Sequence, residues 1–114
     1  MSEDGKLAED LAADYLAAQG LRLIARNYRC RFGEIDLIMQ DGAATVFVEV
    51  RLRASQRFGG AAASVSAQKQ QRLIATALHY LTGRRGEPIC RFDVITLDRL
   101  EPSAINWIRD AFGE

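Results

Sequence analysis

The chain has 114 residues, 48% of them hydrophobic, which suits one compact domain, residues 1–114, with a substantial core and leaves no room for a second. Fifteen basic and fifteen acidic residues cancel to a formal charge of zero, which argues against indiscriminate polyanion binding. No apolar run reaches membrane-spanning length and the acidic N-terminus lacks a signal-peptide pattern, so the expectation is a soluble, cytoplasmic protein with no membrane partner. Cys30 and Cys90 lack CxxC spacing and His79 is the single histidine, so both thiols are read as free and a zinc cluster is unsupported.

Lys6 to Gln19 places Leu7, Ala8, Leu11, Ala12, Tyr15 and Leu16 on one helical arc, with Asp10 and Asp14 opposite and Gly20 at the C-cap position. Glu9 sits at the border of that arc and can lean toward the body of the protein. Leu21 to Tyr28, Glu34 to Gln40 and Thr45 to Leu52 read as three strands, the last two joined by a hairpin turn marked by Asp41-Gly42. Arg53 to Val65, small and glycine-bearing, reads as a mobile loop. Ser66 opens a helix to about Leu81, with Ile74, Ala77, Leu78 and Leu81 on one side and Lys69, Arg72, Thr76 and His79 on the other. The polar side serves equally as a rail for phosphates or as a plain solvent face. GRRGEP is a turn, Cys90 to Leu97 a fourth strand, and Asn106 to Phe112 a short terminal helix. The order α-β-β-β-α-β predicts an α/β fold with a mixed central sheet flanked by helices.

Two acids interrupt the strands. Asp36 lies within Ile35, Leu37, Ile38 and Met39, and Glu49 within Phe47, Val48 and Val50. Buried unpaired carboxylates cost several kcal/mol, roughly, so these need cationic partners or a bound cation. With a hairpin loop from Asp41 to Ala44, Gln40 opposes Thr45, and counting back sets Asp36 opposite Glu49 on one face. Like charges so placed suit a divalent ion, and oxygen ligands suit Mg2+ or Mn2+. Arg51 projects from the same face as Glu49 and can meet a phosphate held there, the layout of metal-assisted phosphodiester hydrolysis. The alternative is a structural cluster in which Arg51 or Arg91 neutralises the acids. From Val50 to Gly86 no acid occurs, and Arg53, Arg57, Lys69 and Arg72 in that span are the candidate phosphate contacts. Arg22, Arg26, Arg29 and Arg31 form a second basic run.

The motifs AEDLAADYLAAQG and RNYR, then GEIDLI, FVEVR, RFGGAAASV, the Lys69 helix and RFDVI together resemble the YraN family of predicted endonucleases. The resemblance implies a fold like that of restriction endonucleases and archaeal Holliday junction resolvases. It implies Asp36 and Glu49 as catalytic metal carboxylates, Glu9 as an outer ligand and the Val50 carbonyl as a further ligand. It also implies DNA, branched or structured, as partner; resolvase-like proteins often act as homodimers, although no strip here marks an interface. Ile35 replaces the proline of the PD-(D/E)xK pattern, and Arg51 replaces its lysine. Arginine stays protonated and cannot act as general base, though it still positions phosphate. Three functions therefore stand: a magnesium-dependent endonuclease, a catalytically degenerate DNA-binding protein, and an interaction module for an acidic partner.

Overall fold

The computed structural model describes residues 3–53, 65–83 and 89–113. The expected loop after Arg53 and most of the GRRGEP turn lie outside these residues, as does Arg57. Helix α1 (Glu3–Ala18) precedes β1 (Arg22–Cys30), β2 (Gly33–Asp41) and β3 (Ala44–Leu52); α2 (Ala67–Leu81) then leads to β4 (Ile89–Leu97) and β5 (Ile105–Phe112). The strands form one sheet in chain order, antiparallel except for the parallel β3–β4 pair, which requires the α2 crossover. The α/β class and the α-β-β-β-α-β order hold, with a fifth strand added.

The helices cover opposite faces. Ala8, Ala12, Ala13 and Leu16 of α1 pack on Leu37, Met39, Val46, Val48, Ile95 and Leu97. Leu73, Ile74 and Ala77 of α2 pack on Ile38, Phe47, Phe92 and Val94. Small alanines let α1 approach the sheet closely. The buried stripe of α1 is rotated from the expected arc: Leu7 is exposed, while Ala13 and Glu9 are buried. On α2, Thr76 is fully buried and bonds the Arg72 carbonyl at 2.7 Å, whereas Leu78 is exposed, reversing both expectations. Ser66 caps α2, its hydroxyl accepting the Lys69 N–H at 3.1 Å. Among the described residues neither Cys30 nor Cys90 forms a disulfide. No helix among the described residues is long and apolar enough to cross a membrane.

The expected terminal helix over Asn106–Phe112 is instead β5. Trp107 packs on the α1 side and Ile108, Ala111 and Phe112 on the α2 side. The register slips where Phe92 faces Phe112 but Val94 faces Ile108, and Asp110 takes a left-handed φ of 50°. That bulge spaces the apolar residues as a helix would, so the pattern predicts a helix where the chain forms a strand. It is pinned by Asp93, fully buried in β4, which accepts the Trp107 Nε1–H and the Asp110 N–H at 2.9 Å each and pairs with Arg91 at 3.0 Å.

Candidate functional site

The β2–β3 hairpin closes at Gly42, whose φ of 59° suits glycine, and the ladder runs from Asp41↔Ala44 through Gln40↔Thr45 to Leu37↔Val48. One rung further, Asp36 would oppose Glu49, but the ladder stops. The Asp36 carboxylate instead accepts the Val50 N–H at 2.8 Å. The β1 side opens at the same level: Arg26↔Leu37 and Tyr28↔Ile35 pair, but Asn27, at φ 52°, skips its rung opposite Asp36. Side-chain alternation slips on both strands there. Leu37 faces α1 while Ile35, two residues away, packs with Tyr28 on the α2 side. Asp36 is thereby freed from both ladders and lies within reach of charges on either face.

The electrostatics follow from that position. Burial, then the charge of Glu49 and a hydrogen bond with it, push the Asp36 carboxyl up to about 8, against the opposing Val50 N–H and with a smaller push from Glu9. Glu49 is 4% exposed and one of its oxygens meets both the Lys69 Nζ at 3.0 Å and the Arg51 guanidinium at 3.3 Å. Gly33, Glu34, Asp36, Glu49, Lys69, Arg72 and Leu73 line a cleft of about 130 Å³. The structure thus brings together Asp36, Glu49, Arg51, Lys69 and Arg72, and ties the Val50 backbone to Asp36.

Other expected residues stand apart. Glu9, buried in α1, accepts the Asn27 amide at 3.0 Å and meets Arg26 at 3.5 Å, so it acts on Asp36 through its field and not as a cleft wall. Arg53 has a side chain only 16% exposed and sits 3.7 Å from Asp98. Arg91 pairs with Asp41 and Asp93, so it is Arg51, not Arg91, that compensates the acid pair. Asn27 adds a residue that strand patterning does not mark, although an asparagine inside a predicted strand is a signal of left-handed backbone. The contact of Lys69, a candidate phosphate contact by sequence, with Glu49 is not encoded in spacing because it depends on how α2 lies on the sheet.

Two carboxylates lining one cleft, with burial and the charge of Glu49 raising the Asp36 carboxyl to about 8, form a donor set short of positive charge. Their hard oxygens fit Mg2+ or Mn2+. Lys69 and Arg51 already supply part of that charge at Glu49. Among the described residues no group of three or more His, Cys, Asp and Glu side chains converges as a complete metal cage, so water or phosphate oxygens would have to complete the coordination.

Residues 8–97 match the profile of the uncharacterised protein family UPF0102. A UPF0102 protein of Methylobacillus flagellatus is 58% identical over 113 residues, covering 99% of both chains. One from Nitrosomonas europaea is 56% identical, covering 96% of this chain and 93% of its own, and one from Ralstonia nicotianae is 60% identical, covering 96% and 85%. The resemblance carried by the GEIDLI, FVEVR and RFDVI motifs therefore extends across nearly the whole chain, which belongs to the UPF0102 (YraN) family.

Proposed function

We propose that this protein binds nucleic acid and acts as a nuclease-like enzyme, a magnesium- or manganese-dependent endonuclease for branched or structured DNA. The observation that carries the reading is the Asp36–Glu49 pair, placed where the sheet opens on both sides and facing a cleft walled by Lys69 and Arg72. Asp36 and Glu49, with the adjoining Val50 backbone, would hold the ion. When bound, it supplies charge to polarise a phosphodiester and acidity to a nearby water. Arg51 presents a planar fork to a phosphate oxygen and stabilises charge that develops there; being always protonated, it takes no proton itself. Lys69 and Arg72 hold the flanking backbone against the α2 face.

A second reading, DNA binding without turnover, is favoured by the double engagement of Glu49 by Lys69 and Arg51, which compensates that carboxylate without any ion. Calorimetric titration with magnesium and manganese, beside a cleavage screen on single-stranded, duplex, flapped and four-way DNA, separates the two. Ion binding weakened at least tenfold, about 1.4 kcal/mol, by Asp36→Asn together with cleavage supports the enzyme. Ion binding and DNA binding with no cleavage leave the binding protein. Neither ion nor DNA binding at moderate salt would turn the assignment toward an acidic protein partner.

A further inference from the structure

The link between β1 and β2 carries an aromatic and basic surface beside the carboxylate cleft. Phe32 is 40% exposed. The Arg31 guanidinium lies 4.9 Å from its ring centroid, and the His79 ring of α2 meets it at 6.0 Å. His79 is fixed in turn by the Tyr28 hydroxyl, 2.6 Å from Nδ1, and Tyr28 packs edge-on against Tyr80. The link is also held from below: a Cβ on Gly33 would come within 3.2 Å of the Thr76 hydroxyl, so the backbone after Phe32 lies directly on α2. Gly33 and Arg72 both line the cleft.

A single exposed phenyl ring is ordinary, but this one is anchored, flanked by arginine and one residue from the cleft wall. Its chemistry matches a nucleotide in two ways. The ring offers a stacking face that any nucleobase can use, and Arg31 offers a cation to that base or to its phosphate. A base inside a duplex is already stacked on its neighbours and cannot reach such a ring; an unpaired base can. We propose that Phe32, with Arg31 and His79, is a stacking platform for one unpaired nucleobase whose adjoining phosphate enters the Asp36–Glu49 cleft past Arg72. The platform rests on the nucleic-acid reading of that cleft and specifies its substrate: a strand with an unpaired nucleotide beside the phosphate addressed.

The test is fluorescence anisotropy with the full chain, without divalent ions, on a labelled single-stranded oligonucleotide, a four-way junction with unpaired bases at its centre, and a perfect duplex of the same length. Phe32→Ala should weaken binding to the single strand and the junction roughly tenfold and to the duplex less than twofold. The salt dependence should keep its slope, because no phosphate contact is removed. Phe32→Trp should restore affinity. An equal loss on duplex and single strand, no loss at all, or a lowered salt slope overturns the platform while leaving the cleft assignment standing. Failure of the wild-type protein to bind any of the three DNAs overturns both.

Discussion

Asp36 keeps a proton that an aspartate in water gives up near 3.8, and the two values fix the sign of a pH effect. Between 3.8 and about 8 the folded protein binds that proton and the unfolded chain does not, so stability falls as pH rises through the window. The loss is on the order of a few kcal/mol by the top of the range. Urea denaturation with chelator, from about pH 5 to pH 9, should show this decline. Asp36→Asn should remove most of the slope and be the more stable protein at the alkaline end, since an amide still accepts the Val50 N–H but carries no charge. Adding magnesium should offset the decline increasingly as pH rises, because the ion must displace the proton. At Arg51 the expectation is kinetic. In single-turnover cleavage of a four-way junction, Arg51→Ala should lose roughly 2 to 4 kcal/mol of transition-state stabilisation, whereas Arg51→Lys should cleave faster than wild type with no gain in affinity. Equal rates for wild type and Arg51→Ala would assign the residue to Glu49 as a structural partner only.

Among the elements, β5 depends on an interaction far from any strand propensity of its own. Asp93 binds Arg91, Trp107 and the Asp110 backbone, so Asp93→Ala leaves three part-buried donor groups without this acceptor and should destabilise the protein by about 3 kcal/mol. Trp107 emission should shift red as β5 loosens, which a denaturant titration followed by fluorescence would reveal; an unshifted spectrum and midpoint would mean that apolar packing alone holds the strand. This element also shows where sequence reading fails. The hairpin register was legible from Asp41↔Ala44 to Leu37↔Val48 because a short turn and period-two patterning fix it; Asp36 and Glu49, one rung beyond, share the cleft although alternation slips at Asp36. The bulge at Asp110 was not, since three residues, Arg109 to Ala111, stand against Asp93 alone and convert strand spacing into helix spacing. The same limit hid Asn27, whose left-handed backbone interrupts the side-chain alternation of β1 without moving its register on β2. It hid the partners of Lys69 and Arg53 too, because cross-sheet contacts depend on helix placement and strand ends that no local pattern encodes.

At the scale of the molecule, zero net charge conceals an uneven distribution. Lys69 and Arg72 line one cleft and Arg51 pairs with its Glu49, whereas Arg53 is held by Asp98. Lys69→Ala and Arg72→Ala should each lower the magnitude of the log–log salt slope for duplex binding by about 0.9, and Arg53→Ala should leave it unchanged. Anisotropy titrations across a salt series would decide it, and a slope moved by Arg53 alone would place the binding face beside Asp98, just past the C-terminal end of β3. The parallel seam between β3 and β4 has a different kind of consequence, one of timing. Every other strand pair joins neighbours in sequence across a short connection, so β1–β2–β3 and β4–β5 can each zip locally, but β3 and β4 meet only after the chain has travelled through α2. In refolding, pulse-labelled amides of the β2–β3 hairpin should gain protection before those of β4. The acid pair would then be assembled early, as two like charges on one hairpin, and Lys69 would reach Glu49 only when the crossover helix docks.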